Sequence, residues 1–330
     1  MFPMTSVHDA LFKSVFGQSA LAGAHLRRFL NADLVDALAW ETLERVPGSF
    51  TDDLLGERHT DLLFSVQWRG EGEGEASREP ALFYILAEHQ SRPDAMMPMR
   101  LLRYMLRIWE RHLVEHPNAR GVPAIFPVVV YHGPEPWSAA TRFSELVDIP
   151  SALRDLVAAH TPEFELVLQD IPRMPDRLLA SETGDGVARI LFKYVGRGEI
   201  LQRLDALPEI LVAFRSASLL TQAALIEYIV RTEPALERRE FAEFFDRAVG
   251  SEAKELAVTL AERIHQEGRQ EGRQEGVSEG QRLALLKLIA LRFGAPTAAV
   301  KTRVMAAADE DVDRWMAALL DAETLEALLN

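Results

Sequence analysis

The chain has 330 residues, 48% of them hydrophobic and 26% charged, with a formal net charge of −14. That length holds roughly two or three domains with a sizeable core, and the acidity argues against a protein that coats nucleic acid while leaving room for a local basic patch. With no cysteine, disulfides and thiolate metal sites are excluded, which is compatible with a reducing cytoplasm; no signal peptide is expected, and apolar runs of about ten residues are too short to span a bilayer.

In chain order, residues 8–30 read as a helix, because Leu11, Phe12, Val15, Phe16, Leu26, Phe29 and Leu30 recur at helical spacing. Residues 38–46 read as a strand ending at Pro47-Gly48. Two further strand-like runs follow, TDLLFSVQW from Thr60 and ALFYILAE from Ala81, separated by a Gly/Glu-rich loop. The second is apolar on both faces, as a buried central strand is. A long helix is expected from Pro93-Asp94 to about Glu115, then an apolar strand over 124–131 ending at His132-Gly133-Pro134. Helix, three strands, helix, strand makes an α/β sheet built from a hairpin and a crossover. Residues 151–250 read as a helical extension of this 1–150 core. The 251–282 segment carries the four-residue repeat QEGRQEGRQEG, and 283–330 reads as about three short amphipathic helices.

Asp61 and Glu88 are the sharpest features. If their runs pair as a hairpin, the two acids meet at one end of the sheet. Close carboxylates repel and resist desolvation unless a cation lies between them. Mg²⁺ suits one or two carboxylates with water and phosphate oxygens, and such a centre hydrolyses phosphodiesters. Asp61 has the alternative of a turn residue, and Glu88 that of a structural acid paired with Arg92, Arg100 or Arg103. His89 points away from the face shared by Glu88 and Gln90, so only its backbone carbonyl is offered to the metal. Asp9 opens the first helix, either as an acid favoured by the helix dipole or as an outer-shell acid, and Lys13 stands one turn on.

Arg100, Arg103, Arg107 and Arg111 fall within an arc of about 80° on the long helix, with Leu102, Met105, Leu106, Trp109 and Leu113 expected opposite, against a core. Six arginines and three acids lie between Arg92 and Arg120 in an acidic chain. Arg92, Arg100, Arg103 and Arg107 are therefore candidates to hold a DNA backbone; the alternative is an ordinary solvated face. His132 and Trp137 read more simply as turn and packing residues. In the QEGR tract between 266 and 273 no Glu meets an Arg at i±3 or i±4, and each Gly weakens the helix by about 1 kcal/mol relative to Ala. Pairing of two such helices along the Gly stripe would compensate, so homo-oligomerisation through 251–330 is one expectation and a flexible linker the other.

The runs HDALFKSVFG, RHTDLLFSV, ILAEHQS, MPMRLLRYMLRIWE and FPVVVYHG resemble the Rpn family of recombination-promoting nucleases, also described as transposases, within the PD-(D/E)XK nuclease superfamily. The resemblance is close over 5–145 and looser to about 250, and the EGRQEGRQEG tract with its C-terminal helices resembles tails of such proteins. It implies an αβββαβ core with a helical extension, a repeat helix and a small all-α C-terminal domain. It implies a cytoplasmic, Mg²⁺-dependent DNA endonuclease in which Mn²⁺ can substitute, with Asp61 and Glu88 as the metal-binding acids. Gln90 stands where the superfamily usually has lysine; it can orient water but carries no charge. That departure, with the net acidity, supports the rival of a weak or inactive relative that binds nucleic acid or protein as an oligomer. A transposase of the RNase H-like type would need a third acid, and the sequence does not place one.

Overall fold

The computed structural model describes residues 4–46, 60–69, 81–88 and 93–329. Three helices, α1 (Met4–Phe16), α2 (Ser19–Phe29) and α3 (Ala32–Asp36), precede the strands β1 (Leu38–Arg45), β2 (Thr60–Trp68) and β3 (Ala81–Glu88). The crossover helix α4 (Met97–Glu115) leads to β4 (Ile125–Tyr131), and α5 (Arg154–Ala158) to β5 (Val167–Asp170). The helices α6 (Asp176–Leu179), α7 (Gly184–Tyr194), α8 (Ile200–Asp205), α9 (Pro208–Ser216), α10 (Leu219–Thr232) and α11 (Arg238–Ala248) follow. The chain ends with α12 (Ser251–Phe293), α13 (Ala298–Met305), α14 (Asp309–Ala318) and α15 (Leu325–Leu329).

The sheet is mixed, in the order β1-β2-β3-β4-β5. The β1/β2 and β2/β3 pairs are antiparallel, whereas β3/β4 and β4/β5 are parallel. Alternation divides it into two packed faces. Leu62, Phe64, Val66, Phe83, Val128 and Val130 join the large core containing Leu11, Phe12 and Val15 of α1 and Ile190 and Leu191 of α7. On the other face Leu63, Leu82, Ile125 and Val129 pack under Met97, Leu101, Tyr104, Met105 and Ile108 of α4. The sheet is therefore a middle layer, with α1 and α7 on one side and α4 on the other.

Three expectations change. The 8–30 helix is broken: α1 stops at Phe16, and a Cβ on Gly17 would stand 2.2 Å from the Lys13 carbonyl oxygen. The polar side chain of Gln18 turns back to donate to the Ser14 carbonyl at 2.6 Å, and α2 starts afresh. The 151–250 region is not wholly helical, since β5 adds a fifth strand beside β4; its four residues include Gln169 and Asp170, too short and polar to signal a strand. On α4 the buried positions are Leu101, Tyr104, Met105 and Ile108, while Leu106 and Leu113 stay 47% and 46% exposed. The core arc thus sits beside the arginine arc, roughly a third of a turn away, rather than opposite it.

The chain divides into two compact units, Phe2–Ala261 and Glu262–Asn330. Both the 1–150 and 151–250 segments lie in the first, where they share one core. The second has its own, from Leu285 and Ile289 of α12 with Val304, Val312, Trp315, Leu319, Leu328 and Leu329. The QEGR tract is helical within α12, and Gly268, Gly276 and Gly280 have nothing within 4 Å of where a Cβ would stand. Among the described residues no helix is long and apolar enough to cross a membrane.

Candidate active site

The strand register fixes where the two acids stand. Asp61 pairs with Leu86 across the antiparallel β2/β3 ladder, and Glu88 lies two residues beyond Leu86. The positions of Asp61 and Glu88 are thus diagonal neighbours on one face, a relation that separates Cα atoms by roughly 7–8 Å. Glu88 pairs in turn with Tyr131 on β4, and Tyr131 with Asp170 on β5. All four positions lie on the α4 face at the carboxyl end of the parallel strands, where open α/β sheets bind their ligands. The chain leaves β3 at this edge and enters α4 at Met97, so the helix begins beside the acids, positive end of its dipole first. His89, Gln90 and Arg92, all predicted at the site, lie outside the described residues.

The floor of this edge is rigid. Tyr131 is fully buried, donates its hydroxyl to the Glu135 carbonyl at 2.6 Å and meets the Trp137 ring edge-on at 5.2 Å. Asp170 accepts the Trp137 backbone N–H at 3.1 Å through Oδ2, with Arg173 3.8 Å from the same oxygen. Asp170 carries no signal in the sequence, because its strand is four residues long and half polar. Two strand spacings of about 4.8 Å separate its position from that of Glu88, and its carboxylate orders the Trp137 loop.

Asp9 and Lys13 occupy the other layer. The α1 helix packs on the Leu62/Phe64 face, and its first turn reaches the acid-bearing end of the sheet from behind. There His8 meets the His132 ring at 4.8 Å and shares a 2.8 Å hydrogen bond with the Tyr228 hydroxyl. Burial, and then Glu233, hold the Tyr228 phenol well above its ordinary pKa, so it remains a neutral hydroxyl. His132 stacks on Phe192 at 4.6 Å and is buried, a packed residue and not merely a turn. Lys13 is exposed. A cavity of about 320 Å³ between α1 and α10, lined by Val7, Leu11, Glu227, Tyr228 and Arg231, opens on this layer and not on the face of the acids.

Of the arginines, Arg100 is nearest the start of α4 and is tied to Asp94 at 3.0 Å. Arg111 pairs with Glu115 at 2.7 Å, whereas Arg103 is exposed among Met99 and Leu106. Among the described residues no three His, Asp or Glu gather into a metal cage.

Residues 6–220 match the sequence profile of the family described as "Putative transposase, YhgA-like". The chain belongs to this family. It is 31% identical over 271 residues to recombination-promoting nuclease RpnD of Escherichia coli O157:H7, covering 81% of this chain and 96% of that protein. Recombination-promoting nuclease RpnA of Escherichia coli strain K12 is 27% identical over 79% of this chain and 84% of its own length. The K12 protein named inactive recombination-promoting nuclease-like protein RpnE is 27% identical over 80% and 83%. No solved structure matches. The relatives thus include proteins named as nucleases and proteins named as inactive, and RpnA and the inactive RpnE are each 27% identical to this chain.

Proposed function

We propose that this YhgA-like chain is a metal-dependent DNA endonuclease of the PD-(D/E)XK type, serving recombination. One observation carries the reading: the register puts Asp61 and Glu88 at diagonal positions on one face, at the carboxyl edge where α4 begins. Two carboxylates are an all-oxygen donor set, which suits Mg²⁺ or Mn²⁺. Such an ion, when bound, lowers the pKa of water and offsets charge on phosphate. The chain's own residues do the rest. Asp61 and Glu88 hold the ion, the His89 carbonyl adds a neutral donor, and Gln90 orients water through its amide. Arg92 and Arg100, with the dipole of α4, hold the phosphate backbone without reading sequence. Tyr131, Trp137 and Asp170 fix the floor.

Nicking of supercoiled plasmid by the wild type, Asp61→Ala and Glu88→Ala, each in Mg²⁺, Mn²⁺ and EDTA, tests this. Loss in EDTA and in both variants supports it; equal nicking in all lanes refutes it. A second reading rests on Gln90: without a cation there, the chain is a weak or inactive nuclease-like protein that binds nucleic acid as an oligomer through 251–330. Retention of DNA by a wild type that nicks in neither metal would select it.

A further inference from the structure

The outer arc of α4 is exposed and lies outside the core. Met99, Leu106, Leu113 and Val114 are exposed by 38%, 47%, 46% and 78%. With Arg103 and Glu110 they form a seam: Met99, Arg103, Leu106, Glu110 and Leu113 follow one another at alternating intervals of four and three residues. That is the spacing at which one helix packs along another. Arg103 and Glu110 are exposed on this seam, and neither has an ion-pair partner among the described residues. A row of large apolar side chains holding an acid is the wrong lining for phosphate and the right one for a helix.

We propose that this face is a two-fold interface between copies of this chain, with the α4 helices antiparallel about a point near Leu106. Charge decides both occupant and direction. An isologous contact must be self-complementary. Antiparallel α4 helices bring Arg103 of each copy beside Glu110 of the other, making two ion pairs that flank a Leu106–Leu106 contact. A parallel pairing in register would set Arg103 against Arg103 and Glu110 against Glu110. The surface lies on α4 and is independent of any association through α12.

The chain has no cysteine, so cross-linking reads this geometry in the full-length protein. With a short bismaleimide, Leu106→Cys is expected to give a covalent dimer. Leu113→Cys is not, because antiparallel pairing leaves those two positions about 15–25 Å apart along the axis. In the Leu106→Cys background, Arg103→Glu or Glu110→Arg alone lowers the cross-linking yield about tenfold, and the two together restore it. Cross-linking at both positions would overturn the antiparallel arrangement. No cross-link at 106, or a double reversal that stays as weak as the singles, would overturn the interface itself. DNA nicking does not enter the readout, so failure here is distinct from failure of the nuclease reading.

Discussion

Asp185→Ala should be among the most damaging single substitutions in the Phe2–Ala261 unit. Arg189 of α7 is completely buried, and its guanidinium is spent on four partners. Nε donates to the Leu179 carbonyl at 2.8 Å, Nη1 to the Asp185 carboxylate and at 2.9 Å to Nδ1 of His25, and Nη2 to Ser181 at 3.2 Å. Burial depresses the Arg189 pKa and the Asp185 charge offsets part of that. Removing the carboxylate leaves a buried cation with neutral acceptors alone, a loss of about 3–5 kcal/mol. In a unit of this size that is a fall of about 10 °C in melting temperature. By contrast Arg239→Ala, at a pair 87% and 61% exposed, should leave the urea midpoint unchanged, because solvent screens such a pair. The assay is urea unfolding followed by far-UV circular dichroism. The double variant Asp185→Leu/Arg189→Met should recover most of the loss, because replacing both charges removes the desolvation penalty with the attraction. A loss under about 1 kcal/mol for Asp185→Ala, or a double variant no better than the single, would refute this account of the network.

The pH dependence has a definite sign at His25, whose pKa is held well below 6.5 by burial and then by Arg189. The unfolded chain binds that proton first, so stability is full above pH 6.5 and falls below it by at most about 1.4 kcal/mol per pH unit; urea midpoints at pH 7.5 and 5.5 should show a steeper drop in wild type than in His25→Asn. Leu101→Ala, at a fully buried position between α4 and the sheet, should lower stability by about 3 kcal/mol, whereas Leu220→Ala, 75% exposed, should fall within about 0.5 kcal/mol by the same assay. Asp61→Asn should raise the melting temperature in EDTA by relieving repulsion with Glu88, and should abolish the rise that Mg²⁺ gives the wild type; a variant less stable in EDTA, or an unchanged Mg²⁺ response, would speak against a shared ion.

The legible parts of the sequence were those with a strong period. Thr60–Trp68 and Ala81–Glu88 were readable as strands because each is an apolar run bounded by turn residues, and Asp61 and Glu88 stood out as charges at the ends of such runs. Gly17 was invisible as a breaker because the apolar period continues across it; the contact of a would-be Cβ with the Lys13 carbonyl shows that the turn ending α1 has room only for glycine. β5 was invisible because its parallel pairing to β4 is a long-range fact that four residues cannot announce. With β5 missed, Asp170 was missed as well. On α4 the period points to Leu102, Met105, Leu106, Trp109 and Leu113 as the core face, whereas the layer beneath takes Leu101, Tyr104, Met105 and Ile108 and leaves Leu106 and Leu113 exposed.

That ambiguity on α4 has a physical cause. A helix laid on a sheet needs one apolar arc of about 100°. This one carries the Leu101/Tyr104/Met105/Ile108 arc that the sheet uses, an edge where Arg100 pairs with Asp94, and an outer seam that nothing in the described chain covers. Arcs on one rigid helix bear different loads, so they separate experimentally. Leu101→Ala should lower the melting temperature; in the Leu106→Cys background, Arg103→Glu should lower the yield of covalent dimer with the melt unchanged, and Asp61→Asn should remove the Mg²⁺ response with the dimer intact. Were Arg103→Glu to lower the melting temperature as Leu101→Ala does, the outer arc would be carrying the fold rather than a contact between copies.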